Sequence, residues 1–254
     1  MPPELASLSG VAVAVLVLGG MLIGFSKTSF GGIGAVAAVL FALVMPAKES
    51  TAAVLLLLLV GDVIGIRLYG RHASWKLILR LVPTVIAGLL VGALFMRYVD
   101  DVLMRRTIGA LLVISVALQV WQRVQIRTEE MAPEGGPHPI AAGAAGVAAG
   151  FSTMTANAAG PIMALYLLAN RIDKKRFIGT NAWFFGAINL AKTPLSGALG
   201  LFTPQVLWVW VAMVPAVLIG AWIGRLVIGR VDQRQFENVT LAAAALSSVV
   251  ILLR

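Results

Sequence analysis

Apolar runs of about 15 to 21 residues recur along the chain, each closed by a polar cluster or by Pro and Gly. A helix needs about 20 predominantly apolar residues to cross a bilayer. The pattern therefore predicts ten helical segments, roughly 5–25, 31–45, 51–69, 76–96, 103–122, 139–151, 158–169, 177–192, 205–228 and 236–253. The only extended polar stretch, RVQIRTEEMAPEGGPH at 123–138, reads as a linker. It separates a first membrane repeat, 1–122, from a second, 139–254.

The two halves echo each other. GFSKT at 24 matches GFSTM at 150, an offset of 126, and VPTVIAGLLVG at 82 matches VPAVLIGAWIG at 214, an offset of 132. Val99-Asp100 then recurs as Val231-Asp232. Five segments per half is an odd number, so a duplication of this kind places the halves in opposite orientations. Loop charges agree. Lys48 is the one basic residue of 46–50, whereas 171–176 carries Arg171, Lys174, Lys175 and Arg176; Arg71, Lys76 and Arg80 lie in 71–80, whereas 198–207 has none. Basic residues favour the cytoplasmic side. With both termini outside, twelve basic residues fall in or beside cytoplasmic loops and five outside. The expected fold is an all-α polytopic membrane protein of two inverted repeats of five helical segments. The first two segments of each repeat form a short broken or re-entrant hairpin.

Composition strengthens this reading: 59% of the residues are hydrophobic and 12% charged, with mean hydropathy +0.94, against about 25% charged in soluble domains. The formal charge of +9 could point to nucleic acid, but the basic residues sit at the ends of apolar runs. That distribution fits orientation signals and lipid headgroup contacts. The N-terminus has no basic n-region, so its first apolar run reads as retained and not as a cleaved signal. Cysteine is absent, His72 and His138 lie far apart in apparent loops, and no Walker A motif occurs. No metal, cofactor or catalytic residue is expected, and no enzymatic activity.

The candidate chemistry lies where the pattern breaks. GFSKTSFGGIGAV (24–36) and GFSTMTANAAGP (150–161) interrupt short apolar segments at matching places in the two halves. Such interruptions in paired repeats point to a transporter's binding site, and non-helical backbone survives in a membrane only when buried in protein or facing a wet cavity. We read each stretch as a turn reaching toward the midplane. Gly31, Gly32, Gly34 and Gly160 would let backbone amides approach a ligand, and the helix beginning after each turn would aim free N–H groups at it. Ser26, Thr28, Ser29, Ser152, Thr153, Thr155 and Asn157 add neutral donors, and Lys27 a full positive charge. The combination favours an anion. The bland alternative is an ordinary loop with Lys27 snorkelling to headgroups.

Further polar residues interrupt the apolar runs. Lys192, followed by Pro194, is either a second anion contact or an end-of-helix snorkeller. Asp62, aligned with Asn189 at an offset of 127, either carries a coupling proton or pairs structurally with a neighbouring donor, since a charge within the bilayer is expensive unless paired or functional. Arg67 is either such a coupling or structural charge or, near its segment's cytoplasmic end, a snorkeller. Asn181 and Trp183 either line the cavity opposite the turn or form a helix contact.

GFSKTSFGGIGAV, GFSTMTANAAGPIMALYL and KKRFIGTNAWFFGAINLAK together resemble the sulfite exporter TauE/SafE family of membrane anion permeases, over nearly the whole chain and in the same two-half order. The second turn carries fewer glycines than is usual there. The resemblance implies a bacterial inner-membrane secondary transporter of a small anion, such as sulfite or a sulfonate like sulfoacetate. The other class open to the same donors is an anion channel. The expected partners are the anion, the lipid bilayer and a coupling proton; a homodimer is compatible with this reading, and nucleic acid is not.

Overall fold

The computed structural model describes residues 9–29, 34–126, 139–170, 172 and 174–227, which form nine α-helices and no strand. The first half contributes α1 (Gly10–Thr28), α2 (Gly34–Val44), α3 (Ala47–Tyr69), α4 (Trp75–Tyr98) and α5 (Asp101–Ile126). The second contributes α6 (Pro139–Ala156), α7 (Gly160–Ala169), α8 (Lys174–Ala198) and α9 (Pro204–Val227). The expected tenth segment, 236–253, lies outside the described residues, as do residues 127–138 of the linker. The linker's first residues are helical, because α5 continues to Ile126. By length and composition, α1, α3 with the 3-10 turn Gly70–His72, α4 and α9 are long and apolar enough to cross a membrane. The protein is a multi-pass membrane protein.

Helix ends follow local chemistry. Ser9 Oγ accepts the Ala12 N–H at the start of α1, an N-terminal cap. The start of α3 is capped from another helix, with Asp101 Oδ1 accepting the Ala47 N–H at 2.6 Å. The carboxylate thereby faces the positive end of the α3 dipole. Along α4 the buried positions are Ile78, Leu81, Val85, Gly88, Leu89, Gly92 and Met96, a stripe at helical spacing. The opposite face exposes Leu79, Ile86, Leu90 and Leu94, as a lipid-facing surface requires.

Small residues decide which helices meet. A methyl group at Gly24 would overlap the Val217 carbonyl and crowd the Ala221 N–H; one at Gly150 would overlap the Val85 carbonyl and crowd the Leu89 N–H. The partners correspond at the offset of 132 read from the sequence. The relation is mutual: Gly220 closes on Met21, and Gly88 on Val147. So α1 packs along α9, and α4 along α6, through glycines four residues apart (Gly20 and Gly24, Gly88 and Gly92, Gly146 and Gly150, Gly220 and Gly224). This small-xxx-small spacing lets membrane helices approach backbone to backbone. The first helix of each half is thus seated on the fourth helix of the other. Between them α3 and α8 run antiparallel, with Asp62 bonded to Asn189, Ile66 against Gly186, the Gly70 carbonyl to Trp183 and Ser74 to Thr180.

One expectation needs correcting here. The motifs Gly24-Phe25-Ser26 and Gly150-Phe151-Ser152 do not lie in turns. They form the last turns of α1 and α6, which run to Thr28 and Ala156. Their glycines serve helix packing, and hydroxyls that satisfy their own helix allow the helical run to continue past the sequence break. The chain turns only afterwards, after Thr28 and at 157–159.

Candidate functional site

At the end of α1 the hydroxyls are spent on backbone. Ser26 Oγ donates to the Ile23 carbonyl at 2.9 Å, Ser29 Oγ to Phe25 at 2.6 Å, and Thr28 Oγ1 across to Ala221 of α9 at 2.9 Å. Such back-bonding satisfies polar side chains without water. Tyr69 of α3 donates to the Thr28 carbonyl at 3.0 Å, tying down a C-terminal carbonyl of α1. Lys27 is then the residue of this turn with donors to offer. Its stem crosses Gly61, which has no side chain to obstruct it. Its Nζ reaches Asp62 Oδ1 at 2.5 Å and stands 4.9 Å from the centre of the Phe185 ring of α8, within cation–π range. The second oxygen of Asp62 accepts the Asn189 amide at 2.6 Å. The carboxylate, 2% exposed, is held by one charged and one neutral donor.

The second half builds a related corner with different residues. Thr155 Oγ1 donates to the Phe151 carbonyl at 2.8 Å, while Asn157 ends α6 in the left-handed region at φ 52°. Its N–H bonds the Thr153 carbonyl at 3.1 Å, the single-residue left-handed helix cap that asparagine tolerates. Its side-chain amide donates to the Thr51 carbonyl of α3 at 3.1 Å, so its oxygen faces α8 and accepts from Lys192 Nζ at 2.5 Å. Thr153 Oγ1, at the position matching Lys27, accepts from the same Nζ at 3.3 Å. Lys192 is 1% exposed, with six residues of α8 still to follow, so snorkelling does not describe it. Both oxygens that it meets are neutral.

The two corners form one cluster. Asn189 and Lys192 share a face of α8 one turn apart, and Lys192 lies within electrostatic reach of Lys27 and Asp62. Seven residues of α3 follow Asp62, about 10 Å of helix at 1.5 Å per residue. The end of α1 meets the last two turns of α3, at Gly65 and Tyr69, and the end of α6 meets the second turn of α3, at Thr51. An ammonium has three donors. Lys192 uses two on oxygens and Lys27 one, so both retain donor capacity. A lysine paired with a carboxylate and a buried lysine that meets only neutral oxygens make a site that an anion would complete.

Ser152 is buried in α6 beside Thr153. Arg67 is exposed in the last turn of α3, apart from the cluster and where a snorkeller belongs. Asn181 carries a buried oxygen with no partner. The Trp183 indole donates to the Gly70 carbonyl at 3.2 Å and stacks 5.0 Å from Trp75, a contact between α8 and the turn after α3. Gly31 and Gly32 lie outside the described residues. Phe185 and Gly61 escaped sequence reasoning. Gly61 was findable, since it precedes an acidic residue inside an apolar helix; Phe185 was one aromatic among many. Among the described residues no cluster of His, Asp or Glu could hold a metal ion.

Over residues 16–251 the chain matches the model of the sulfite exporter TauE/SafE family. It belongs to that family. Membership makes the protein a TauE/SafE membrane transporter, and the match spans both halves, from α1 to beyond α9. No curated protein and no solved structure matches the chain.

Proposed function

We propose that this TauE/SafE protein is a secondary transporter of a small sulfur oxyanion or organosulfonate, such as sulfite or sulfoacetate. The anion is bound between the ends of α1 and α6 and moved by alternating access. The observation that carries the reading is the pair of lysines inside a membrane helix bundle: Lys27, half-buried and paired with Asp62, and Lys192, fully buried against neutral oxygens alone. A net positive charge in such a place is costly without a mobile counter-anion. Ser26, Thr28, Ser29, Ser152, Thr153, Thr155 and Asn157 line or support the two corners in this proposal, while Asn181 and Trp183 lie toward the start of α8, apart from them. Transport is its role, not catalysis.

Alternation draws on the inverted relation of the halves. The mutual seating of α1 on α9 and α4 on α6, with α3 and α8 antiparallel, supports it, because each half can then rock against the other around a fixed site. The same proposal sets the protein in a bacterial inner membrane with both termini outside, as a single chain or a homodimer, and gives Asp62 the coupling proton. The experiment is counterflow in proteoliposomes loaded with unlabelled sulfite and given labelled sulfite outside. A carrier shows uptake stimulated by unlabelled substrate on the far side; flux indifferent to trans substrate would establish the channel in its place.

A further inference from the structure

The site between the ends of α1 and α6 holds few charges. Four helices converge on it, and their other charged residues sit near helix ends: Lys48, Glu49 and Arg67 on α3, and Lys174, Lys175 and Arg176 on α8. Lys27 is the only charge on α1, and α6 has none. On α9, which packs along α1, Arg225 is exposed in the last turn. Among the described residues of these helices, the charges inside the site are therefore Lys27, Lys192 and Asp62. Asp62 cannot leave easily, because one oxygen is tied to Lys27 and the other to Asn189, and α3 holds it 2% exposed.

Resting on the anion-transport reading above, we propose that Asp62 sets the charge of the anion: by neutralising Lys27 it leaves one net positive charge, so the site accepts monoanions and disfavours dianions. A monoanion brings the cluster to neutrality with every ammonium donor satisfied. A dianion leaves an unbalanced negative charge beside a fixed carboxylate, and like charges brought together in a poorly hydrated site repel strongly. The halves differ in this respect for a physical reason. Asp62 aligns with Asn189, so the carboxylate of one repeat is a neutral amide in the other, and only one of the two lysines has a resident counter-charge. For sulfur oxyanions the distinction is chemical: sulfite exists near neutral pH as both hydrogen sulfite and the dianion, simple alkanesulfonates are singly charged, and sulfoacetate, whose carboxylate adds a second charge, falls among the disfavoured anions.

The test compares methanesulfonate with sulfate, two tetrahedral anions of similar size and fixed charge, by calorimetric titration of the full-length purified protein at one neutral pH. Wild type should bind methanesulfonate at least tenfold more tightly. In Asp62→Asn the net charge becomes +2 and the preference should shift toward sulfate by at least tenfold, about 1.4 kcal/mol. In Lys27→Gln/Asp62→Asn the net charge returns to +1 through Lys192 alone, and methanesulfonate should again be preferred. A role of Asp62 in folding alone would move both affinities together and leave the ratio unchanged. Should Asp62→Asn fail to fold, wild type and the double variant still decide. Sulfate preference in either one, or an unchanged ratio in a folded Asp62→Asn, overturns the proposal. Absence of binding of both anions to wild type would instead count against the anion-site reading on which it rests.

Discussion

Replacing Lys27 by methionine tests whether the site's ion pair holds the fold as well as the ligand. The variant keeps most of the stem that packs over Gly61 but removes the ammonium. Asp62 is then left with the Asn189 amide as its sole partner, inside a bundle where it is 2% exposed. Removing one member of a buried pair costs about 3–5 kcal/mol, because the surviving charge stays desolvated. By the scaling of soluble domains of this size, roughly 2–4 °C per kcal/mol, the melting temperature should fall by about 6–20 °C. The assay is thermal unfolding in detergent, read by size-exclusion of the surviving monodisperse fraction. Lys27→Met/Asp62→Leu, which removes both charges, should recover most of the loss, since replacing a whole buried pair by apolar groups is often neutral. The reasoning is refuted if Lys27→Met melts with wild type, or if the double variant is no more stable than the single.

Lys192→Met should weaken anion binding by about 10- to 150-fold, the equivalent of about 1.5–3 kcal/mol for a hydrogen bond to a charged group; calorimetric titration with methanesulfonate checks it, and undiminished affinity would remove Lys192 from the site. Gly24→Ala and Gly150→Ala should each destabilise by roughly 1–3 kcal/mol, as overpacking does, because the new methyl meets backbone of α9 or α4. Gly10→Ala, where nothing lies within 4 Å, should melt with wild type, and equal behaviour of all three would deny the close helix contacts. Cysteines at Ser74 and Lys174 should label from the cytoplasm alone and one at Lys48 from outside alone; labelling of positions 48 and 174 from one side would end the inverted arrangement. Asp62→Asn should abolish transport driven by a pH gradient while exchange of a labelled anion continues, and an unchanged response to the gradient would remove the proton from Asp62.

Much was legible from pattern. Runs of apolar residues announced nine helices within a few residues of their observed spans, because a segment surrounded by lipid must satisfy its backbone internally and shows this as unbroken hydrophobicity. Lys27, Asp62 and Lys192 stood out because charge in such segments is rare. The two repeated motifs were visible as well, but their purpose was not. A Gly-Phe-Ser stretch between apolar runs reads as a turn, and only the packing of α1 on α9 and of α6 on α4 turns its glycine into a contact surface. Hydroxyls bonded to their own carbonyls kept the helix going where polarity alone predicts a break. Partnership was equally invisible. Asp62 and Asn189 are 127 residues apart, and nothing local tells that one carboxylate meets Lys27 and Asn189 while Lys192 meets only neutral oxygens. Helix existence is a matter of local hydrophobicity and hydrogen bonding, which the chain carries in itself. Which buried charge is balanced, and which is left for a ligand, depends on how α3 and α8 cross, and that is decided by tertiary packing.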